Sequence, residues 1–427
     1  MADLAPLLAD PALAPRIAKA RAAPFGMASV LLRQALVAAH GREGPGLHEA
    51  LLGGPGRMAR ERLAEAGLLG ALEAPRLFAP AARVHVPVPE GAAPGPGWEV
   101  RARALGIGLI REAKVLSAAA GIRAGGRVLI DVQEGEAGRY EVIPEADPWT
   151  WDRREGTAAM GLPPGPVEEL DEALHLAGPM ALAWGHSLID FAPKLLMAAR
   201  LGGPPPGAPM LIDALAPASH GALLQALAPG RPLVRVKPGR PMRVRRLWAA
   251  TTPEYTPVLP APGQRFPPEV NALNPGALAA LLAGPPPLPP EPGAPRKVYY
   301  DRAPRLTRQP EAAEAIRALF VAAGYEPVLA ERLEPAAQLR LAAGLTHFAG
   351  PWGSNLLMPL LFGRAQAEAL ILHPEALEEK ALILAAAAAR GRRVRVVAGA
   401  PNGPAAIPGN AAYAVPPEAV AAALGAT

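Results

Sequence analysis

The chain has 427 residues, enough for two hydrophobic cores rather than one, and it contains no cysteine. Without thiols there is no disulfide, no thiolate metal site and no cysteine nucleophile. A net charge of +5 is scattered along the chain, and 6 Trp, 6 Tyr and 7 Phe are too few for a base-stacking platform, so small anionic ligands fit better than nucleic acid.

Residues 1–80 are rich in Ala and Leu at helical spacing, with breaks at Gly44–Gly46 and Gly53–Gly56. They predict a short N-terminal helical appendage. Asp3 and Asp10 lie near its start, and no basic stretch precedes an apolar one, so it does not read as a secretory signal. The longest apolar run, Ala381–Ala389, is far shorter than the ~20 residues that span a bilayer. The expectation is a cytoplasmic protein without a transmembrane segment.

Residues 81–255 predict an α/β lobe. Strand-like alternation marks Arg83–Val88, Trp98–Ala102 and Arg127–Val132, and short strands are expected at Pro209–Ile212 and Leu233–Val236. The basic run Arg240–Arg246 reads first as a solvated strand edge. Its other reading is contact with phosphates or with an anionic lipid surface, a route to peripheral membrane contact. Residues 256–296 hold three proline clusters around one short helix, Pro275–Ala283, and read as a semi-rigid linker outside any core.

From 297 to 427 the pattern becomes regular. Strands are expected at Lys297–Tyr300, Tyr325–Leu329, Leu345–Ala349, Glu368–Leu372 and Arg393–Val397. Helices alternate with them at Pro310–Ala323, Pro335–Ala343, Gly353–Leu361 and Glu375–Ala389, and Pro416–Leu424 closes the chain. Such alternation specifies an open parallel α/β sheet, whose ligands bind outside the carboxyl ends of the strands.

Three segments offer chemistry there. In Ala349–Asn355, Gly350 and Gly353 allow close backbone approach, and Ser354 and Asn355 stand at a helix entry suited to a pyrophosphate. Trp352 is open to two readings, a stacking platform for a base or sugar, or a core residue. After the first C-terminal strand, Arg302, Arg305 and Arg308 supply guanidinium forks that match phosphate oxygens, or else pair with Glu311 and Glu314 in a solvated loop. In Trp184–Leu195, His186 and Asp190 are four apart and share a helix face, a spacing that suits a general base. The plainer reading has His186 bonding backbone and Asp190 capping a turn. Lys194 is a candidate phosphate or substrate contact. Gly106-Ile-Gly108 lacks the remainder of a dinucleotide fingerprint, and no two histidines have metal-ligand spacing.

In chain order, these segments resemble glycosyltransferase family 61, which includes bacterial polysaccharide transferases. A family segment like H-W-x-x-D-x-x-P-R-L matches His186-Ser-Leu-Ile-Asp190-Phe-Ala-Pro193-Lys194-Leu195. The strand followed by an Arg-rich stretch matches Val298 to Arg308 with Glu311, then Gly324-Tyr325 and Gln338. The pattern G-x-H-G-A-G-L-x-N-x-x-F matches Gly350 to Phe362, with Trp352 in place of His and Met358 in place of Asn. Asn355 stands nearby as a substitute. The resemblance covers roughly residues 95–424.

It implies a GT-B-like fold, two Rossmann-like lobes with a cleft between them. It also implies an inverting reaction that moves a sugar from a nucleotide sugar, usually a UDP-sugar, to a glycan or other hydroxyl acceptor. No cofactor and no essential metal are implied. Asp190 would be the general base, with His186 orienting it or serving as the base itself. Arg302, Arg305, Arg308, Gly350, Trp352, Gly353, Ser354 and Asn355 would hold the donor, and Lys194 would be a further contact. The departures at Trp352 and Met358 keep a second class open, a nucleotide-sugar- or glycan-binding protein that retains the fold without turnover.

Overall fold

The computed structural model of the chain describes residues 58–63, 68–86, 90, 98–115, 121–130, 149–152, 157–161, 167–178, 181, 183–214, 216–237, 241–253, 274–294, 296–303, 309–374, 381–402 and 412–425. These residues form a mixed α/β structure with two sheets rich in parallel pairs. No helix among them is long and apolar enough to cross a membrane.

The first sheet opens with β1 (Met58–Leu63), helix α1 (Leu68–Ala71) and β2 (Glu73–Ala79). A separate ribbon of β3 (Ala82–Val86) and β4 (Trp98–Ala102) follows. Then come β5 (Leu105–Val115), β6 (Gly121–Ala124), β7 (Arg127–Ile130), β8 (Trp149–Asp152) and β9 (Thr157–Gly161). Next is β10 (Glu168–His175), which leads into α2 (Trp184–His186), a π-helical turn (Ser187–Phe191) and α3 (Ala192–Arg200). The last elements are β11 (Met210–Asp213), α4 (Ala218–Leu227), β12 (Leu233–Val236) and β13 (Met242–Ala250). The strand order is β12-β11-β10-β13-β5-β6-β7-β1-β9-β8, with β2 also on β5. The four strands from β12 to β13 run parallel to one another, and β5 is antiparallel to β13.

This corrects the expected N-terminal helical appendage. Residues 1–57 lie outside the described residues, but 58–63 and 73–79 are strands of the large sheet. The Ala/Leu spacing hid them because β2 is irregular. Its register with β5 shifts between Glu73 and Arg76, where Pro75 has no N–H to give to a ladder.

The basic run is resolved by register. β10 reads Glu-Glu-Leu-Asp-Glu from 168 to 172, and its parallel alignment sets Glu169 beside Arg243 and Glu172 beside Arg246. Arg243 lies 2.7 Å from Glu112 and 3.3 Å from Glu169, Arg245 lies 3.4 Å from Asp171, and Arg246 lies 2.7 Å from Glu172. These arginines form a cross-strand ladder of ion pairs on a strand that lies inside the sheet, between β10 and β5, and is not an edge; Arg240 lies outside the described residues.

The region read as a linker holds helix α5 (Pro275–Leu281), capped by the Asn274 side chain, which accepts from the Ala277 N–H at 2.9 Å. It is not peripheral. Leu278 and Leu282, one turn apart, enter one hydrophobic core, while Ala277 and Leu281 enter another. Arg200 at the end of α3 donates to the Ala280 and Ala283 carbonyls at 2.6 and 2.8 Å. Residues 256–273 of the expected connector lie outside the described residues; its helix is a brace between cores, with apolar spacing that wraps two faces.

The second sheet comprises β14 (Lys297–Asp301), α6 (Ala313–Ala322), β15 (Glu326–Leu329), α7 (Pro335–Gly344), β16 (His347–Pro351), α8 (Ser354–Phe362), β17 (Glu368–Pro374), α9 (Ala381–Ala389), β18 (Val394–Asn402), β19 (Ala412–Ala414) and α10 (Pro417–Gly425). The order is β15-β14-β16-β17-β18-β19, parallel through β18. Alternate residues bury opposite faces. Val298 and Tyr300 lie under α7, α8 and α9, while Tyr299 packs with Ile316 and Phe320 of α6 and Val420 of α10. The α7–α9 layer shares its core with Leu188, Ile189 and Ala192 from the π-turn region and Leu223 of α4, so the two sheets are joined through packed helices.

Leu278→Ala should cost about 2–5 kcal/mol of unfolding free energy, as for other buried Leu truncations. Because α5 enters both cores, the variant should still unfold in one transition at lower denaturant, measured by far-UV circular dichroism and tryptophan fluorescence together. Non-coincident transitions would mean that α5 does not couple the cores.

Candidate functional site

In the second sheet the chain leaves β14 for β15 on one side and later enters β16 on the other. The sheet therefore changes direction between β14 and β16, and the carboxyl ends of those strands flank the place where doubly wound sheets bind ligands. β14 ends at Asp301 and delivers Arg302. β16 ends at Pro351 and delivers Trp352, Gly353 and the first turn of α8.

The Arg302 segment is pinned from several sides. Asp301 Oδ1 accepts from the Arg302 N–H at 2.9 Å, and its other oxygen lies 3.4 Å from Arg317 Nε. Gln309 Nε2 donates to the Ala303 carbonyl at 2.8 Å. From that base Arg302 extends across the entrance of α8, where Nη1 donates to the Trp352 carbonyl at 3.3 Å. A Cβ on Gly353 would collide with Arg302 Nη1, so the guanidinium can cross there only because residue 353 has no side chain. The N-cap residue of α8 is Gly353, which has no side chain with which to cap the helix. A guanidinium and the positive end of a helix dipole thus converge on one point.

Gly350 is needed for a different reason. Its φ is +153°, and a Cβ would sit 2.5 Å from the Tyr300 carbonyl oxygen on the neighbouring strand. Asn355 turns Nδ2 toward that same carbonyl at 3.5 Å, and its Oδ1 is buried without a partner among the described residues. Ser354 is exposed at the helix entry. The Tyr300 hydroxyl is buried, has no partner among the described residues, and has its pKa pushed up by burial, which keeps it protonated.

The other half of the site comes from the helix that follows β10. His186 Nδ1 lies 2.7 Å from Asp190 Oδ2. The histidine side chain is 30% exposed and the carboxylate 10%, so the ring faces outward and the acid sits behind it. A carboxylate beside Nδ1 favours the tautomer with the proton on Nδ1, which leaves Nε2 as a proton acceptor. The helix meets α8 directly: a Cβ on Gly185 would lie 3.4 Å from both Ser354 Cβ and Leu357 Cδ1. The His186–Asp190 segment and the entrance of α8, far apart in sequence, are thereby neighbours.

The remaining expected contacts divide. Trp352 is 3% exposed and lies in the core with its ring centroid 5.6 Å from that of His373, so it is a core residue and not a stacking surface. The strand geometry explains this, since the Trp352 N–H still bonds the Leu372 carbonyl of β17 at 2.8 Å and holds the residue against the sheet. Met358 is buried as well. Lys194 is 6% exposed, with its ammonium 5.8 Å from the centroid of Phe191. Arg305 and Arg308 lie outside the described residues. Among the described residues, no three His, Asp or Glu side chains gather in a metal-binding arrangement.

Sequence reasoning passed over two groups. His220, in the first turn of α4, is buried against Trp184 with ring centroids 5.5 Å apart. Burial lowers its pKa, a bond to the Ala181 backbone opposes the shift, and the Arg235 charge adds to it. Arg390 reaches the Leu360, Leu361 and Gly363 carbonyls at the far end of α8. Burial lowers its pKa. A lone Arg thirty residues from the carbonyls it caps leaves no local signal.

No protein-family model matches this chain, and no curated protein does. The site's chemistry therefore rests on its own geometry: a helix entrance beside a guanidinium, suited to a phosphate-bearing group, next to a histidine backed by a carboxylate.

Gly350→Ala should lower the unfolding free energy by at least about 1–3 kcal/mol, the range for backbone strain at such a position. The contact with the Tyr300 carbonyl should add to it. Chemical denaturation of the variant measures this, and an unchanged midpoint would mean that β14 and β16 are farther apart there.

Proposed function

We propose that the chain is an inverting, metal-independent glycosyltransferase of GT-B-like architecture. In this reading it moves a sugar from a UDP-sugar to a hydroxyl of a glycan. The observation that carries the reading is the meeting of Arg302 with the glycine-capped entrance of α8, one helix contact away from His186–Asp190. A guanidinium beside a helix N-terminus suits an anion, and a diphosphate leaving group is such an anion.

The roles follow from exposure and protonation. The acceptor hydroxyl gives its proton to His186 Nε2 as its oxygen attacks the anomeric carbon. Asp190 holds the ring through Nδ1 and stabilises the imidazolium that forms. The bond from the anomeric carbon to the β-phosphate oxygen breaks, and UDP departs with the electron pair. Arg302 and the N–H groups of the first turn of α8 meet its charge. His186 is the base and Asp190 its support, because the imidazole is the more exposed of the two.

A second reading, a nucleotide-sugar- or glycan-binding protein without turnover, draws on Trp352. The family resembled in sequence has a histidine at that position, whereas this side chain is packed into the core. Binding of UDP without release of UDP from any UDP-sugar would favour it.

Calorimetry and turnover test the proposal together. Arg302→Ala should weaken UDP by about 1.5–3 kcal/mol, the worth of a hydrogen bond to a charged group, and EDTA should leave wild-type affinity unchanged. His186→Ala and Asp190→Asn should each cut turnover by about 10²–10⁴-fold while UDP affinity holds. A wild-type protein that binds neither UDP nor another nucleoside diphosphate would remove the proposal.

A further inference from the structure

We infer that His220 is a positioning residue: it ties the turn that launches the His186 helix to the start of α4. Residues four apart in a helix face each other by spacing alone, so His186 and Asp190 need no help to meet. What spacing leaves open is where their helix begins over the first sheet. That helix follows β10, and α4 follows β11, the neighbouring parallel strand, with Leu174 beside Met210 and His175 beside Leu211. Both helices therefore start from adjoining carboxyl ends.

Two side chains link these exits in turn. Arg235 of β12 donates through Nη1 to the Ala216 carbonyl at 2.7 Å and holds the turn between β11 and α4. His220, in the first turn of α4, bonds the backbone of Ala181, two residues before Ala183, the N-cap of α2. Its Nδ1 is buried without a partner among the described residues, so Nε2 is the nitrogen that donates to the Ala181 carbonyl. The same ring lies against Trp184, the first residue of α2, with centroids 5.5 Å apart. His220 thus grips the chain on both sides of the helix start, and His186 follows two residues later. This short helix also meets α8, where a Cβ on Gly185 would lie 3.4 Å from Ser354. Both α4 and α8 hold it, and the imidazole supplies a directional part of that hold.

An imidazole is a poor choice for stability alone at this place. His220 is buried and one ring nitrogen has no partner among the described residues, a cost that leucine would not incur. Leucine, in turn, would leave the Ala181 carbonyl without this donor. The directional bond is what the histidine adds. Its catalytic meaning rests on reading His186 as the base; the tie itself does not.

His220→Leu and His220→Gln test both levels. Leucine removes the ring N–H, whereas the glutamine amide carries an N–H that can serve in its place. In the crystal structure of His220→Leu, residues 181–186 should move away from α4 while His186 and Asp190 stay in contact. Release of UDP from UDP-glucose, UDP-xylose or UDP-N-acetylglucosamine, whichever the wild type turns over, should fall by about 10–10²-fold, the loss that a misplaced catalytic group brings. The Kd for UDP should not change, and His220→Gln should restore most of the rate. A leucine variant with 181–186 in place overturns the inference, and so does a glutamine variant that folds yet is as slow as leucine. If the segment moves but His186→Ala turns over at the wild-type rate, the tie stands and the base assignment falls. Should the leucine variant not fold, His220→Phe, which keeps a ring against Trp184 without an N–H, carries the same measurements.

Discussion

Seven consecutive apolar residues, Leu356 to Phe362, are all buried in α8, so this helix can exist only with protein around it. That constraint organises the second half of the molecule and its junction with the first. The sheet covers one flank, α7 and α9 cover others, and the helix after β10 takes the remaining one. Once the helix is held on all sides, its two ends have fixed addresses. The entrance opens at the reversal of the sheet beside Arg302, while the exit is satisfied by Arg390, whose charge complements the negative end of the dipole.

The junction between the sheets follows from the same demand for cover. A polar interface between two independently stable halves would permit relative motion, but here apolar side chains of α4, the π-turn and α5 complete the core of the second sheet. The few polar groups left at this seam, His186, Asp190, Ser354 and Asn355, are therefore carried on elements with little freedom to move apart. A site on such supports gains accuracy from packing it did not have to supply itself.

How much was legible in the sequence follows from where burial is periodic. The second sheet could be read strand by strand, because a parallel sheet covered on both faces gives short unbroken apolar runs, as in Ala369–Leu372. The entrance of α8 could be read as well, from Gly350, Gly353 and Asn355. The early strands could not, since Pro75 and an irregular register leave β2 without alternation. Nor could the role of α5, because prolines on either side make a core helix look like a spacer. Trp352 was open to two readings in sequence, and only the position of β17 beside it decides between them. The order of His186 and Asp190, base and support, is likewise a matter of which side chain faces out, and spacing is blind to that.

The ladder of charges on β10 and β13 has a consequence for how the first sheet finds its alignment. Apolar alternation forbids a slip of one residue, which would turn Met242 and Val244 out of the core. A slip of two leaves the faces unchanged, and alternation cannot detect it. The carboxylates can: such a shift would place Arg246 beside Leu170 or Leu174 and strand Glu172 away from its partner. Exposed pairs of this kind add little to the depth of the native well. Their worth lies in the gap between that well and its nearest look-alike, so acid or high salt should blur the choice of alignment during refolding before it visibly weakens the folded protein.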